Sequence, residues 1–115
     1  MIVAHVRVTA PNGRRHEMVK ALHSVICPTR FEKGCMACDI FEEVDNPGVL
    51  HVVARWQTQE DLEGHLRSAR YARLLAIAEA SAESPVIAFH WVAASQGLPY
   101  VAQVRLGGSV PSKKD

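Results

Sequence analysis

The order of hydrophobic periodicities along the chain restricts its fold more than any other feature. From Ile2 to Thr9, apolar residues recur with a period of two, which is typical of a strand with one apolar face. From about Arg14 they recur every three or four residues, which predicts a helix packed against a core. Pro28 should end or kink this helix, because proline lacks the N–H for the next intrahelical hydrogen bond.

The rest of the chain repeats this alternation of periods. Met36–Val44 and Val49–Gln57 are predicted strands, and the turn formers of residues 45–48 join them as a hairpin. Thr58 is a predicted N-cap of a helical segment that runs to about residue 83, and Val86–Ala93 is a fourth strand. The order β-α-β-β-α-β predicts a ferredoxin-like α+β fold, with an antiparallel sheet and helices on one face.

The chain is expected to contain one folded domain. Its 115 residues match the usual size of a single domain, and its 48% hydrophobic and 22% charged content is ordinary for a soluble protein. We assign residues 1–94 to the domain and residues 95–106 to a C-terminal arm or a fifth strand. Residues 107–115 are polar and small, and we expect a disordered tail there.

The face of the sheet opposite the helices is predicted to contact a second copy of the chain. Val3, Val92 and either Phe41 or Val53 lie on that face, whereas a face exposed to water alone would be polar. We therefore predict a homodimer.

The sequence pattern does not fix the register of the central hairpin. A four-residue loop puts Glu42 opposite His51 and Ala37 opposite Trp56, which mixes the apolar and polar faces. We therefore expect a β-bulge or a slipped register in this hairpin.

Charge and hydropathy exclude several classes of partner. The 13 basic and 12 acidic side chains give a net charge of +1, which is unsuited to neutralising several phosphates of a nucleic acid. No stretch approaches the roughly 20 apolar residues that span a membrane. The N-terminus lacks the features of a signal peptide, so a cytoplasmic location is predicted.

The cysteines and histidines do not predict a metal site. The three cysteines are too few for a disulfide framework, and Cys35-x-x-Cys38 has no second pair at zinc-site spacing. His5, His51 and His90 lie on three different predicted strands, but a metal would require matching faces and heights. We expect ordinary free thiols, and histidines that line a barrel or an interface.

Several short segments, taken together and in order, resemble the antibiotic biosynthesis monooxygenase family, a branch of the dimeric α/β-barrel proteins. They are Pro28-Thr29-Arg30, Gly34-Cys35, the hairpin turn at residues 45–48, Arg55-Trp56, Leu62, His65-Leu66, Ser68, Tyr71 and Leu74-Leu75. With the flanking elements, the resemblance covers roughly residues 1–93. It implies a homodimer whose sheets close into a barrel, with a lipophilic pocket between sheet and helices in each subunit.

The resemblance implies that Trp56 forms a wall of this pocket, although a core tryptophan is the alternative. His65 shares the inward helical face of Leu62, and we expect an unpaired, largely neutral imidazole there that can accept a proton. The alternative for His65 is a core histidine bonded to a backbone carbonyl. Tyr71 presents its hydroxyl to a ligand or only packs the helix onto the sheet.

The chain departs from the family pattern at positions that bear on haem. Leu75 stands where the haem-degrading branch has its iron ligand, and Val6 stands where that branch has an asparagine. Both are apolar, so we expect no haem and place Val6 and Leu75 among the pocket residues. Ala54 also replaces a frequent glutamate, and Cys38 replaces a frequent aromatic residue.

These observations leave two hypotheses. The first is a monooxygenase without cofactor that acts on a small aromatic or quinol-type substrate, since the sequence has no flavin, nucleotide or metal motif. His65 would then be catalytic. The second is a homodimer that binds a small ligand or is purely structural, which Ala54 and the apparent lack of an acid–base dyad favour.

Overall fold

The computed structural model describes residues 1–107, and it has the predicted order of elements. The elements are β1 (Ile2–Thr9), α1 (Arg15–Thr29), β2 (Cys35–Glu42), β3 (Val49–Trp56), α2 (Gln59–Leu66), α3 (Ala69–Glu79), β4 (Val86–Trp91) and α4 (Leu98–Arg105). The ferredoxin-like α+β prediction is therefore confirmed. Within these residues no helix is both long and apolar enough to cross a membrane.

The four strands form one antiparallel sheet in the order β2-β3-β1-β4. The core lies between one face of the sheet and helices α1–α3. Its fully buried large side chains include Leu22 and Ile26 of α1, Leu50 and Trp56 of β3, and Leu62 of α2. The inward positions of β1 are Ile2, Val6 and Val8, as the period of two predicts.

The opposite side of the sheet, here called the open face, is more polar and only partly buried. Its side chains include Val3, His5 and Arg7 of β1, Ala37, Asp39 and Phe41 of β2, Glu43 directly after β2, His51, Val53 and Arg55 of β3, and Val86, Ala88 and His90 of β4.

Local capping explains where α2 and α3 begin. The Thr58 hydroxyl accepts a hydrogen bond from the Asp61 N–H at 3.1 Å, and Ser68 Oγ accepts one from the Tyr71 N–H at 3.1 Å. Pro28 lies in the last turn of α1, which ends at Thr29. The predicted N-cap at Thr58 is confirmed, and α1 ends just after Pro28, as expected.

The β2–β3 hairpin has the irregular register that its pattern of polar and apolar residues predicted. Glu42 pairs with Leu50 rather than His51, and Ala37 pairs with Arg55 rather than Trp56, so the simple hairpin register is slipped by one residue. A bulge between Cys35 and Ala37 then brings Cys35 opposite Trp56. The slip returns the apolar residues to the helix side, because a shift of one residue exchanges the two faces of a strand.

The C-terminal arm is helical over residues 98–105, so a fifth strand is not formed there. Pro99 stands in its first turn, where proline suits a helix because its missing N–H is not needed. None of the α4 side chains is buried. The tail predicted at residues 107–115 lies, from residue 108 onward, outside the described residues.

Candidate active site

A small, mostly apolar cavity lies between the sheet and the helices. Its free volume is about 20 Å³, which is room for about one water molecule. All four strands and helices α1–α3 contribute to its walls. The lining residues are Ala4, Val6, Val25, Ile26, Thr29, Cys38, Val52, Ala54, Trp56, His65, Tyr71, Leu74 and Phe89.

Three of the predicted site residues meet at one end of this cavity. The rings of Trp56 and His65 stack with centroids 4.7 Å apart and planes inclined by 28°. Tyr71 meets the His65 ring edge-on at a centroid distance of 5.3 Å. Trp56 and His65 are nine residues apart in sequence, and they meet because α2 folds back over the end of β3.

The indole of Trp56 contains an unsatisfied donor. Its side chain is fully buried, and its Nε1–H has no hydrogen-bond partner among residues 1–107. A buried N–H without a partner costs about 1–3 kcal/mol. An oxygen of a molecule in the cavity would satisfy this donor.

Val6 and Leu75, the two aliphatic residues predicted to line the pocket, differ in position. Val6 lines the cavity, whereas Leu75 is 40% exposed and does not contribute to its wall. Leu74 takes the inward position instead. The two leucines point about 100° apart around the helix axis, and the cavity lies on the side of Leu74.

His65 is not the unpaired imidazole that the apolar surroundings predicted. Its Nδ1 lies 2.9 Å from Oε1 of Glu32, and the other carboxylate oxygen of Glu32 accepts a hydrogen bond from Arg70. His65 is 6% exposed, and the Glu32 side chain is 19% exposed. His65 and Glu32 therefore form an acid–base dyad that the sequence did not predict.

The dyad determines which nitrogen of His65 is basic. An ionised carboxylate can only accept hydrogen bonds, so Nδ1 carries the proton that it shares with Glu32. Nε2 of the neutral ring then has a free lone pair. This is the arrangement by which a carboxylate orients a histidine that acts as a general base.

Glu32 reaches His65 through the connection between α1 and β2. Gly34 adopts a φ of +82°, and its carbonyl accepts a hydrogen bond from the Gln57 N–H at 2.8 Å. This bond fastens the connection to the end of β3, beside Trp56. No periodicity or spacing singles out Glu32, because its partner His65 is 33 residues away.

Two other lining groups stay protonated near neutral pH. Burial raises the pKa of the Cys38 thiol to about 12, so this side chain is a neutral thiol rather than a nucleophile. Burial also raises the pKa of Tyr71 above its usual value. Within residues 1–107, His, Cys, Asp and Glu form no group of three that could hold a metal ion.

The sequence pattern of the antibiotic biosynthesis monooxygenase family matches residues 1–77. The chain belongs to this family. The matched region contains β1 through most of α3, and with them Glu32, Trp56, His65 and Tyr71. No curated protein matches the chain.

Solved structures share the antibiotic biosynthesis monooxygenase fold at low sequence identity. A candidate antibiotic biosynthesis monooxygenase from Deinococcus radiodurans is 17% identical, with a TM-score of 0.76 over 85% of this chain and 98% of that one. Rv0793 from Mycobacterium tuberculosis is 22% identical, with a TM-score of 0.73 over 84% and 98%. A Bacteroides thetaiotaomicron protein described as a possible oxidoreductase is 26% identical, with a TM-score of 0.70 over 77% and 94%.

Proposed function

We propose that the chain is a monooxygenase that needs no cofactor and oxidises a small phenol or hydroquinone. The observation that carries the proposal is the Glu32–His65 dyad beside the unpartnered indole N–H of Trp56. A phenolic substrate offers the two matching groups, an acidic O–H for the base and an oxygen acceptor for the indole. Membership of the monooxygenase family supports the reaction class.

The proposed role of His65 is to remove the phenolic proton. Nε2 accepts the proton, and the Glu32 carboxylate at 2.9 Å stabilises the imidazolium that forms. Arg70 holds the second oxygen of Glu32 and so fixes the orientation of the carboxylate. Trp56 donates its N–H to the phenolate oxygen, and this donation stabilises the developing charge in an apolar site.

Deprotonation makes the substrate itself the source of electrons. A phenolate transfers an electron to dioxygen, and the resulting radicals combine to a ring hydroperoxide. Loss of water from the hydroperoxide leaves a quinone, so that one oxygen atom enters the ring and the other leaves as water. The balance is phenol plus O₂ to quinone plus H₂O. All four electrons come from the substrate.

We propose that the active protein is a homodimer in which the open faces of two sheets meet. The open face carries Val3, Val53 and Phe41, and Phe41 is 54% exposed. It also carries two arginines and two carboxylates that balance in charge, namely Arg7, Arg55, Asp39 and Glu43. A neutral, partly apolar surface can meet a copy of itself without net repulsion.

The activity is tested by oxygen uptake and by incorporation of isotopically labelled dioxygen with a panel of phenols and hydroquinones. We expect turnover by the native chain and at least about a hundredfold loss in His65→Ala, the usual contribution of general base catalysis. His16→Ala is the matched control, since His16 is exposed in α1 and does not line the cavity. Equal rates for the native chain and His65→Ala would refute the assignment of His65.

The second candidate function, ligand binding without turnover, is favoured by the size of the cavity. Its free volume of about 20 Å³ admits no aromatic ring until side chains move. Quenching of Trp56 fluorescence by a phenol, without oxygen uptake for any member of the panel, would support this second candidate.

A further inference from the structure

A chain of hydrogen bonds crosses the open face, on the other side of the sheet from the cavity. Nε2 of His5 lies 2.7 Å from Nδ1 of His51, and Nε2 of His51 lies 2.7 Å from Oε2 of Glu43. The same oxygen of Glu43 accepts a hydrogen bond from Arg7 at 3.2 Å, and Asn46 donates to its other oxygen at 3.0 Å. Both histidines are partly buried before any partner is present.

The acceptors in this chain determine where its protons lie. The Glu43 carboxylate can only accept, so Nε2 of His51 donates to it and Nδ1 of His51 is a bare acceptor. Nε2 of His5 therefore donates to His51, and Nδ1 of His5 is left with a free lone pair. Of the four ring nitrogens in this chain, only Nδ1 of His5 has no hydrogen-bond partner among the described residues, so an additional proton binds there.

The groups around His5 make the binding of an additional proton unfavourable. Burial, His51, His90 on β4 and Arg7 on its own strand all lower the pKa of His5. Glu43 does not offset the added charge, because Arg7 already pairs with it. The remaining charged groups of the open face are Asp39 of β2, which is paired with Arg30, and Arg55 of β3.

We propose that the His5–His51–Glu43 chain makes self-association through the open face pH-dependent, so that acidification separates the two copies. The inference rests on the homodimer proposed above and adds its regulation. Two neutral open faces meet without net charge, whereas protonation of His5 in both copies places two new like charges in one buried contact. The dimer therefore binds fewer protons than two monomers, and by linkage a fall in pH favours the monomer.

The test is sedimentation equilibrium of the full chain at pH 7.5 and pH 5.0, because the pKa of His5 is lowered below the ordinary histidine value of about 6.5. We expect the dimer dissociation constant to rise about tenfold or more at the lower pH, the effect of a shift of one pKa unit. The double variant His5→Gln/His51→Gln has no imidazole left in this hydrogen-bond chain to protonate, and its dissociation constant should change less than about twofold. His16→Gln, an exposed histidine of α1, is the control and should behave like the native chain.

Circular dichroism at both pH values separates dissociation from unfolding. If the double variant does not fold, His5→Gln alone replaces it, because His5 is the site of the additional proton. A dimer with the same dissociation constant at both pH values refutes the inference and leaves the homodimer intact. A monomer at pH 7.5 refutes both, whereas the oxygen-uptake assay tests His65 independently.

Discussion

Trp56 and His65 differ in whether their polar groups find a hydrogen-bond partner within the described residues. Glu32 satisfies His65 within the chain, whereas Trp56 Nε1 has no partner among the described residues. A native chain seldom leaves a donor unpaired in its core, because the cost of about 1–3 kcal/mol is a large part of its total stability. The unpaired N–H of this cavity-lining residue is the observation on which the proposed ligand contact rests.

Trp56→Phe tests this donor while it keeps an aromatic ring beside His65. We expect the affinity for a phenol that the native chain binds to fall about tenfold, the loss of one hydrogen bond of roughly 1–1.5 kcal/mol. Isothermal titration calorimetry measures the affinity. Trp91→Phe is the control, because the Trp91 indole is 60% exposed and already donates to Gln59 at 3.2 Å. Unchanged affinity in Trp56→Phe would count against the ligand contact.

At the scale of elements, the connection between α1 and β2 brings Glu32 to His65. It carries Glu32 toward α2, and it turns at Gly34, whose φ of +82° suits glycine. A Cβ at Gly34 would also overlap Cβ and Cγ of Asp61 in the first turn of α2. Gly34 therefore permits the close approach of this connection to α2.

Gly34→Ala should lower the free energy of unfolding by about 2–4 kcal/mol, the sum of left-handed strain and overpacking. It should also reduce oxygen uptake, because Glu32 is displaced from His65. Gly13→Ala separates the two costs, since Gly13 has a φ of +79° but no neighbour within 4 Å of the added methyl group. Urea denaturation measures both variants. Equal losses in both would show that Asp61 gives way without cost.

An ion pair joins the β2–β3 hairpin to the start of α1, and it makes the fold sensitive to acid. Arg15 contacts both carboxylate oxygens of Glu42 at 2.6 and 2.8 Å, and the Gly48 N–H donates to Glu42 at 2.8 Å. These bonds lower the pKa of Glu42 from 4.5 to about 2. The stability that they add is present above pH 4.5 and is lost as the pH falls toward 2.

Glu42→Gln should therefore flatten the fall in unfolding free energy between pH 4.5 and pH 2, because the amide has no proton to gain in that range. Part of the fall should remain, since the pKa of Glu43 is also lowered to about 2 by His51, Asn46 and Arg7. Glu17→Gln is the control, as Glu17 is an exposed partner of Arg14 at 3.7 Å. Acid titration followed by circular dichroism would contradict the prediction if Glu42→Gln followed the native curve.

At the scale of the whole molecule, the fold is completed by β4 and not by α4. Strand β4 pairs with β1 over six residues, and its Phe89 reaches the cavity. Helix α4 buries none of its side chains. Residues 1–94 should thus fold without the segment that follows them.

Removal of residues 95–115 should leave the melting temperature within a few degrees of the native value, because α4 buries none of its side chains. Removal of residues 86–115 is the comparison, and it should abolish cooperative melting, because β1 becomes an unpaired edge above an open cavity. Thermal denaturation at low protein concentration measures both. If the variant that lacks residues 95–115 is unfolded at room temperature, the domain boundary at residue 94 is refuted.

The sequence alone determined the order of elements through β4, the cap at Thr58 and the inward position of His65, because each depends on residues close together in the chain. The position of Trp56 at the cavity followed from the family resemblance. Periodicity also placed the hydrophobic face of β1. The helical form of residues 98–105 was not predicted although it is local, since α4 buries none of its side chains. Only the tertiary structure decided the hairpin register and the choice of Leu74 over Leu75 at the cavity. Both depend on which backbone groups of a strand, and which side of a helix, meet residues that are distant in the sequence.

The polar contacts of both faces were beyond local patterns for the same reason. Glu32 and His65 are 33 residues apart, and His5 and His51 are 46 residues apart. A loop carboxylate or a strand histidine has the same sequence surroundings whether or not it finds such a partner. The fold alone brings these pairs to hydrogen-bonding distance, since the approach of α2 to the α1–β2 connection and the pairing of β1 with β3 are long-range events.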